Sequence, residues 1–386
     1  MLFRSKATIG LDIGSSLVKA IQLKRTGRGI ELEKLGMADI YPSGIRPSDP
    51  AEDRRMRTDA VRMALASAGI TAKQSITSIS GESIIVRYIQ LPDMPEAELK
   101  NALQWEAEEF IPFRIEDVNL DSVILGRTAD SEGGKVDVML VSAKKELVDQ
   151  HLEIVREAGL TPIVIDVDSF AFLNCFDYNH QPGPGEIVAL VNIGSGITNI
   201  NIYVEGASRF SRDISIAGQT ITTAIQSRLG VDHAEAEEIK RREGAPDLEA
   251  RPASGMPEDS SLIDTIRGAV EQISGHAIGD SAPEAIAGKA IRNTLANLVG
   301  EIQRSIHFFE NQSGGKAVQK IVLGGGTSRL PGIDRFFEHE MRLPVELINP
   351  LLRIDVGGSG VDPALLDKSR EMLGVGVGLA LRGVME

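Results

Sequence analysis

One short phrase occurs twice, far apart in the chain: Ile13-Gly14-Ser15 near the N-terminus and Ile193-Gly194-Ser195 near the middle, each flanked by apolar residues. Around each copy the pattern is two short strands joined by a tight turn, because glycine reaches backbone angles closed to other residues and serine supports a local turn bond. A repeated hairpin implies a duplicated architecture with one glycine turn per lobe. The length agrees. Single cores stop growing at roughly 250–300 residues, and this chain has 386.

The first copy carries charge. Asp12 lies just before the tip and Lys19 just after it, with Gly14, Ser15 and Ser16 between them. A carboxylate, two hydroxyls, an ammonium and a row of backbone N–H groups make a cradle for a polyphosphate and its metal. The plainer alternative is an ordinary turn with a surface lysine. Apolar content of 42% and charged content of 25% are those of a globular chain, and aromatics at 4% imply an aliphatic core. A net charge of −14 gives no reason to expect nucleic-acid binding. The single Cys175 rules out an intramolecular disulfide and fits a reducing cytoplasm, and six scattered histidines without cysteine partners argue against a zinc site. No run approaches the about 18 apolar residues that span a membrane, and the first residues lack a signal-peptide core. A soluble, cytoplasmic protein is expected.

In chain order, residues 1–82 form a first-lobe core. Residues 83–160 change character to strand, helix, two strands and helix, an inserted α+β subdomain. Within it Trp105, Phe110, Pro112 and Phe113 gather at a helix end; they read as local core or as a groove for a partner segment. Residues 161–182 return to the first lobe, and the Pro182-Gly183-Pro184-Gly185 break opens the second, 183–365. There Gly194, Ser195, Gly196 and Thr198 form the second hairpin, and a helix follows from a good N-cap at Asp232. About 244–284 reads as a surface expansion rich in Gly, Pro, Ser and Asp. A long amphipathic helix over 285–312 should cross the back of the lobe. A strand then ends in Gly324-Gly325-Gly326-Thr327, bare backbone that a flat ligand approaches closely. Residues 366–386 form a small-residue helix with Gly374, Gly376 and Gly378, returning to the first lobe.

Taken in order, these elements resemble the actin, Hsp70 and sugar-kinase superfamily. The resemblance implies an α/β, two-lobed actin/Hsp70-like ATPase fold with duplicated RNase H-like lobes and an inserted small α+β subdomain. It assigns the two hairpins to phosphates, Glu237 and Lys240 on one helical face to ribose and adenine, and the glycine turn to adenosine; ATP and Mg²⁺ are the implied cofactors. The inserted subdomain, Trp105-Glu106-Ala107-Glu108 followed by Phe110-Ile111-Pro112-Phe113, and Ile165-Asp166-Val167-Asp168-Ser169-Phe170-Ala171 resemble more closely the type IV pilus assembly PilM family, related to the cell-division protein FtsA. That resemblance implies a cytoplasmic scaffold, held to the inner membrane through its partner. A groove at Trp105, Phe110 and Phe113 would receive the N-terminal cytoplasmic tail of PilN, in an assembly with PilO, PilP and the pilus motor ATPases, and oligomers are allowed.

One departure bears on mechanism. The second phosphate hairpin of this superfamily opens with aspartate, and here Asn192 stands there. An amide supplies no negative charge for Mg²⁺ and its waters, so the metal would rest on Asp12 through water, and hydrolysis is expected to be slow or absent. Asp166 or Asp168 stands where relatives orient the attacking water, with Asp168 preferred. Alternatives from other classes are an FtsA-like division or filament protein, which should end in a membrane-binding amphipathic helix, and a sugar or acetate kinase, for which no second polar pocket with a base is visible. A serine hydrolase and a P-loop ATPase are disfavoured for want of their motifs.

Overall fold

The structure, a computed structural model, describes residues 7–128, 134–246 and 282–385. The expansion expected at about 244–284 lies, except for its ends, outside the described residues.

The chain opens with a meander of β1 (Thr8–Ile13), β2 (Leu17–Thr26) and β3 (Gly29–Asp39). Helix α1 (Pro50–Ser67) follows, started by Asp49, whose side chain accepts from the Ala51 N–H, and by proline in its first turn. After β4 (Gln74–Ile79) come β5 (Ile84–Pro92), α2 (Glu96–Phe110), β6 (Val118–Thr128) and β7 (Lys135–Lys144), then α3 (Lys145–Glu157), β8 (Thr161–Val167) and α4 (Asp168–His180). The second half contains β9 (Ile187–Ile193), β10 (Thr198–Val204), β11 (Ala207–Ile214), α5 (Gly218–Leu229), α6 (His233–Glu243) and α7 (Pro283–Gln312). It continues through β12 (Lys320–Gly324), α8 (Ile333–Met341), β13 (Val345–Leu347), β14 (Ile354–Asp355), α9 (Pro363–Ser369) and α10 (Gly374–Met385).

Duplication is visible in the sheets. One runs β14-β3-β2-β1-β4-β8 and the other β11-β10-β9-β12-β13. Without β14, both consist of an antiparallel three-strand meander followed by two strands parallel to its first. Each glycine hairpin therefore occupies the same place in its lobe.

The connecting helices α4 and α10 lie between the two sheets. Phe172, Phe176, Val377 and Leu379 join Ile21 and Ile76 of the first sheet to Val188, Leu190 and Val322 of the second in one buried cluster. Each such side chain contributes about 1.5–3 kcal/mol when buried. The two helices approach so closely that a Cβ on Gly378 would lie 1.7 Å from the Ala171 carbonyl oxygen, so the small residues of α10 allow this packing. On the outer faces, α1 and α3 cover the first sheet through Val61, Ala64, Ile154 and Val155. The stripe Ile291, Leu295, Leu298, Ile302, Ile306 and Phe309 of α7 covers the back of the second, as its periodicity requires.

Strands β5, β7 and β6 form a separate sheet packed on α2 through Leu99, Leu103, Val136, Val138 and Leu140. Two expected boundaries move. Ile154 and Val155 of α3 belong to the first lobe's cluster, so this unit closes at Lys144 and not at 160. The C-terminal return begins before residue 366, because Ile354 and Asp355 already pair with Ile30 and Glu31 of β3. Among the described residues no helix is long and apolar enough to cross a membrane.

Candidate functional site

Both hairpin tips face each other at the floor of a cleft of about 1700 Å³ between the lobes. Each tip is closed by the same bond: the Gly14 N–H donates to the Leu17 carbonyl at 3.1 Å, and the Gly194 N–H to the Ile197 carbonyl at 2.9 Å. The shared Gly-Ser start of the two turns yields the same closing bond. The tips touch, since a Cβ on Gly196 would lie 2.6 Å from Ser15 Oγ.

Asp12 and Lys19 stand directly opposite each other across β1 and β2, which brings Lys19 Nζ within 2.8 Å of Asp12 Oδ2 in a largely buried pair. Ser15 and Ser16 line the same side. Arg57 of α1 braces this hairpin. Its Nη1 donates to the Gly14 carbonyl at 3.2 Å, Nη2 to Tyr41 Oη at 2.8 Å and Nε to Asp53 Oδ2 at 3.1 Å. A planar guanidinium makes all three bonds from one position.

On the second lobe, the Gly194 carbonyl accepts from the Gly218 N–H at 3.1 Å and from Thr327 Oγ1 at 2.7 Å. The second hairpin, the start of α5 and the glycine turn thus meet at one atom. Gly325 has φ +87°, and a Cβ there would lie 2.4 Å from the Ile193 carbonyl oxygen, so glycine is required. Deeper in, Lys240 Nζ donates to Thr222 Oγ1 at 2.8 Å and to the Gly218 carbonyl at 3.3 Å, and it pairs with Glu237. Burial holds the Lys240 ammonium below its ordinary pKa. Burial also opposes charge on Glu237, but the adjacent Lys240 reverses that and keeps its carboxyl below the usual range.

Asp166 and Asp168 part company. Asp166 is buried and paired with Arg382 of α10 at 2.8 Å. Asp168, the first residue of α4, lines the cleft and accepts from Ser78 Oγ at 2.6 Å. Burial, and then the charge of Asp12, push its carboxyl up to about 6.

Of the residues expected from sequence, Asp12, Gly14, Ser15, Ser16, Lys19, Asp168, Gly194, Ser195, Glu237, Lys240, Gly325, Gly326 and Thr327 all line this cleft. Three stand behind it. Thr198 Oγ1 donates to the Ile216 carbonyl at 2.7 Å, Gly324 makes room for the Phe172 ring, and Gly196 for Ser15. The aromatic group divides: Trp105 is 76% exposed and Phe110 37%, while Phe113 packs against the small sheet's cluster with Lys144 Nζ 4.3 Å above its ring. Arg57, His151 and His233 line the cleft without having been expected there. For Arg57 the signal was its spacing four residues from Asp53 on one helix; nothing local marked the two histidines. His151 Nε2 lies 2.7 Å from Thr77 Oγ1, and burial lowers its pKa to about 4, so it is neutral.

The lining fits a nucleotide by its donor set: two glycine turns, the Ser15 and Ser16 hydroxyls, and two lysines, each with a carboxylate beside it. Among the described residues no group of three histidine, cysteine or acidic side chains stands ready to hold a metal. A magnesium ion would therefore depend on Asp12, water and the phosphates themselves.

The family model for type IV pilus assembly protein PilM matches residues 10–251, and that for cell division protein FtsA matches residues 189–368. Among solved structures, one described as a PilM-PilN type IV pilus biogenesis complex superposes with a TM-score of 0.77 at 28% identity, covering 98% of each chain. FtsA of Pseudomonas aeruginosa is 26% identical over 369 residues, which cover 89% of this chain and 82% of that protein. FtsA of Neisseria meningitidis serogroup B is 24% identical over 358 residues, 87% and 82% of the two. A MamK double helical filament aligns with 98% of this chain and 99% of its own at a TM-score of 0.50 and 11% identity, a likeness of fold alone. The fold is therefore the two-lobed actin-like one.

Proposed function

The chain belongs to the family of the type IV pilus assembly protein PilM, and from that premise we propose that it is an ATP-binding scaffold of the pilus inner-membrane assembly. ATP with Mg²⁺ occupies the cleft, and the closed form holds the N-terminal cytoplasmic tail of a PilN-type protein at the inserted subdomain. The convergence of both hairpins, Glu237, Lys240 and the glycine turn on one cleft carries the nucleotide part. The full-length likeness to a PilM-PilN complex supports the partner. In this reading the protein works in the cytoplasm, joined to the inner membrane through its partner, with PilO, PilP and the motor ATPases further along the assembly. Trp105 and Phe110, exposed on α2, and Phe113 beside them are the residues proposed for tail contact. ATP can favour the tail-binding form only by binding that form better than the alternative.

Lys19, Ser15, Ser16 and the hairpin tips at Gly14, Gly194 and Ser195 are assigned to phosphate, Glu237 and Lys240 to ribose and adenine, and Gly325 and Gly326 to the base. Asp168 is the acid group placed to orient water. Turnover is slow, because Asn192 brings no charge to the metal. Titration with a fluorescent ATP analogue tests binding: wild type is expected to bind with magnesium, and Lys19→Met to lose about tenfold or more. Indistinguishable affinities in the two would overturn the assignment. An ATPase assay of wild type against Asn192→Asp tests the hydrolysis claim, which predicts the faster rate in the variant. Equal, brisk rates in both would contradict it.

A further inference from the structure

A row of polar side chains leaves the cleft floor and runs across the second sheet. In register, Asn192 of β9 lies opposite Asn199 of β10, and Asn199 lies opposite Asp213 of β11. Residues directly opposite on neighbouring strands share one face with side chains in contact. Asn192 Nδ2 donates to Asn199 Oδ1 at 2.9 Å, and Asn199 Nδ2 donates to Asp213 Oδ1 at 2.7 Å. The other carboxylate oxygen, Asp213 Oδ2, accepts from the backbone N–H of Gly81 at 2.6 Å, across the interface in the first lobe.

The order of donors is dictated from the far end. Both oxygens of Asp213 receive N–H groups, so Asn199 must turn its amide nitrogen toward Asp213 and its carbonyl toward β9. Asn192 must then present its own nitrogen, which leaves its Oδ1 on the side of Gly325, whose Cβ, if it had one, would lie 2.8 Å away. An aspartate at 192 would set a carboxylate against the Asn199 carbonyl oxygen. The amide that departs from the superfamily pattern is the group this row requires.

Beyond Gly81 the contacts continue into the inserted subdomain. Ser215 Oγ donates to Glu82 at 2.8 Å, and Tyr88 Oη of β5 bonds Ser208 Oγ of β11. On the cleft side of Gly81, Ser78 holds Asp168. The stretch from Ser78 to Tyr88 is thus gripped at one end by the candidate site and at the other by β11.

We propose that Asn192, Asn199 and Asp213 are positioning residues that tie the cleft floor to Gly81 and the root of β5, so that nucleotide in the cleft tightens the attachment of the inserted subdomain. The proposal rests on the nucleotide reading above and adds the route by which the site reaches the subdomain.

Hydrogen–deuterium exchange of the full-length protein, with and without a non-hydrolysable ATP analogue and magnesium, reads peptides over 81–92; a fluorescent analogue measures nucleotide binding independently. In wild type, nucleotide is expected to slow exchange there about threefold or more. Asp213→Asn, which turns an N–H against an N–H, is expected to speed it about threefold without nucleotide and to reduce the nucleotide effect below about twofold, with peptides of α7 unchanged as a check on folding. Asn192→Asp, two strands from Gly81, is expected to speed exchange at 81–92 as well. Nucleotide binding without change at 81–92 in wild type, or a full effect in Asp213→Asn, overturns the proposal. So does an Asn192→Asp effect confined to 187–204. If wild type binds no nucleotide, the nucleotide reading falls, and the nucleotide-free comparison still decides whether Asp213 clamps Gly81.

Discussion

At the scale of single residues, two carboxylates and one guanidinium define the cleft. The Asp168 carboxyl is raised from 3.8 to about 6 by burial and by Asp12. A carboxyl raised in the folded state costs stability when ionised, so the folded protein gains as pH falls through about 6 toward the unfolded value. Asp168→Asn should therefore stabilise the nucleotide-free protein at pH 8 by at most about 3 kcal/mol, the cost of ionising a carboxyl raised to about 6. The gain should shrink toward zero by pH 4, as denaturant titrations at the two pH values will show; an equal gain at both would contradict the assignment. Arg57 acts through geometry. Because its three bonds to Gly14, Tyr41 and Asp53 come from one rigid fork, Arg57→Lys keeps the charge and loses most of the bracing. A nucleotide affinity about tenfold weaker is expected from the fluorescent-analogue titration, and an unchanged one would remove Arg57 from the site's support.

At the scale of elements, what was legible in the sequence follows from local chemistry. The hairpins could be read because glycine and serine at a turn between apolar runs leave few alternatives, and α7 because its stripe repeats at helical spacing. Strand β11 went unread: its Ser208, Arg209, Ser211, Arg212 and Asp213 leave Phe210 and Ile214 as the main apolar marks. That strand holds the groups that reach the first lobe, so the interlobe contacts stayed hidden with it. Strands β13 and β14, at three and two residues, are too short for any periodicity. Gly324 shows the converse limit, since a glycine beside a ligand and a glycine beside a phenylalanine look alike in sequence. The small-residue pattern of α10 was informative because it permits one thing, close packing. Gly378→Ala should drive a methyl group into the Ala171 carbonyl and cost about 1–3 kcal/mol or more in a denaturant titration. A variant as stable as wild type would mean that α4 and α10 separate at no cost.

At the scale of the whole molecule, the two lobes share one topology and meet at their hairpin tips, at Gly81 with Asp213, and at Gly44, where a Cβ would lie 2.2 Å from His233 Nδ1. The contacts enclose the cleft from floor to mouth. The inserted sheet hangs from the first lobe while bonding to the second through Tyr88, and under the proposal above lobe closure is tied to the setting of the subdomain through these contacts. The central claim is that nucleotide and tail each favour the same closed form. By linkage, each must then tighten the other by the same factor. The most direct measurement is a titration of the purified protein with a PilN-type N-terminal tail peptide, with and without Mg-ATP, following the fluorescence of Trp105 and confirming by calorimetry. The account predicts peptide binding that tightens about fivefold or more with ATP, and ATP binding that tightens equally with peptide. Bound ATP with no peptide binding, or with an unchanged peptide affinity, would contradict it.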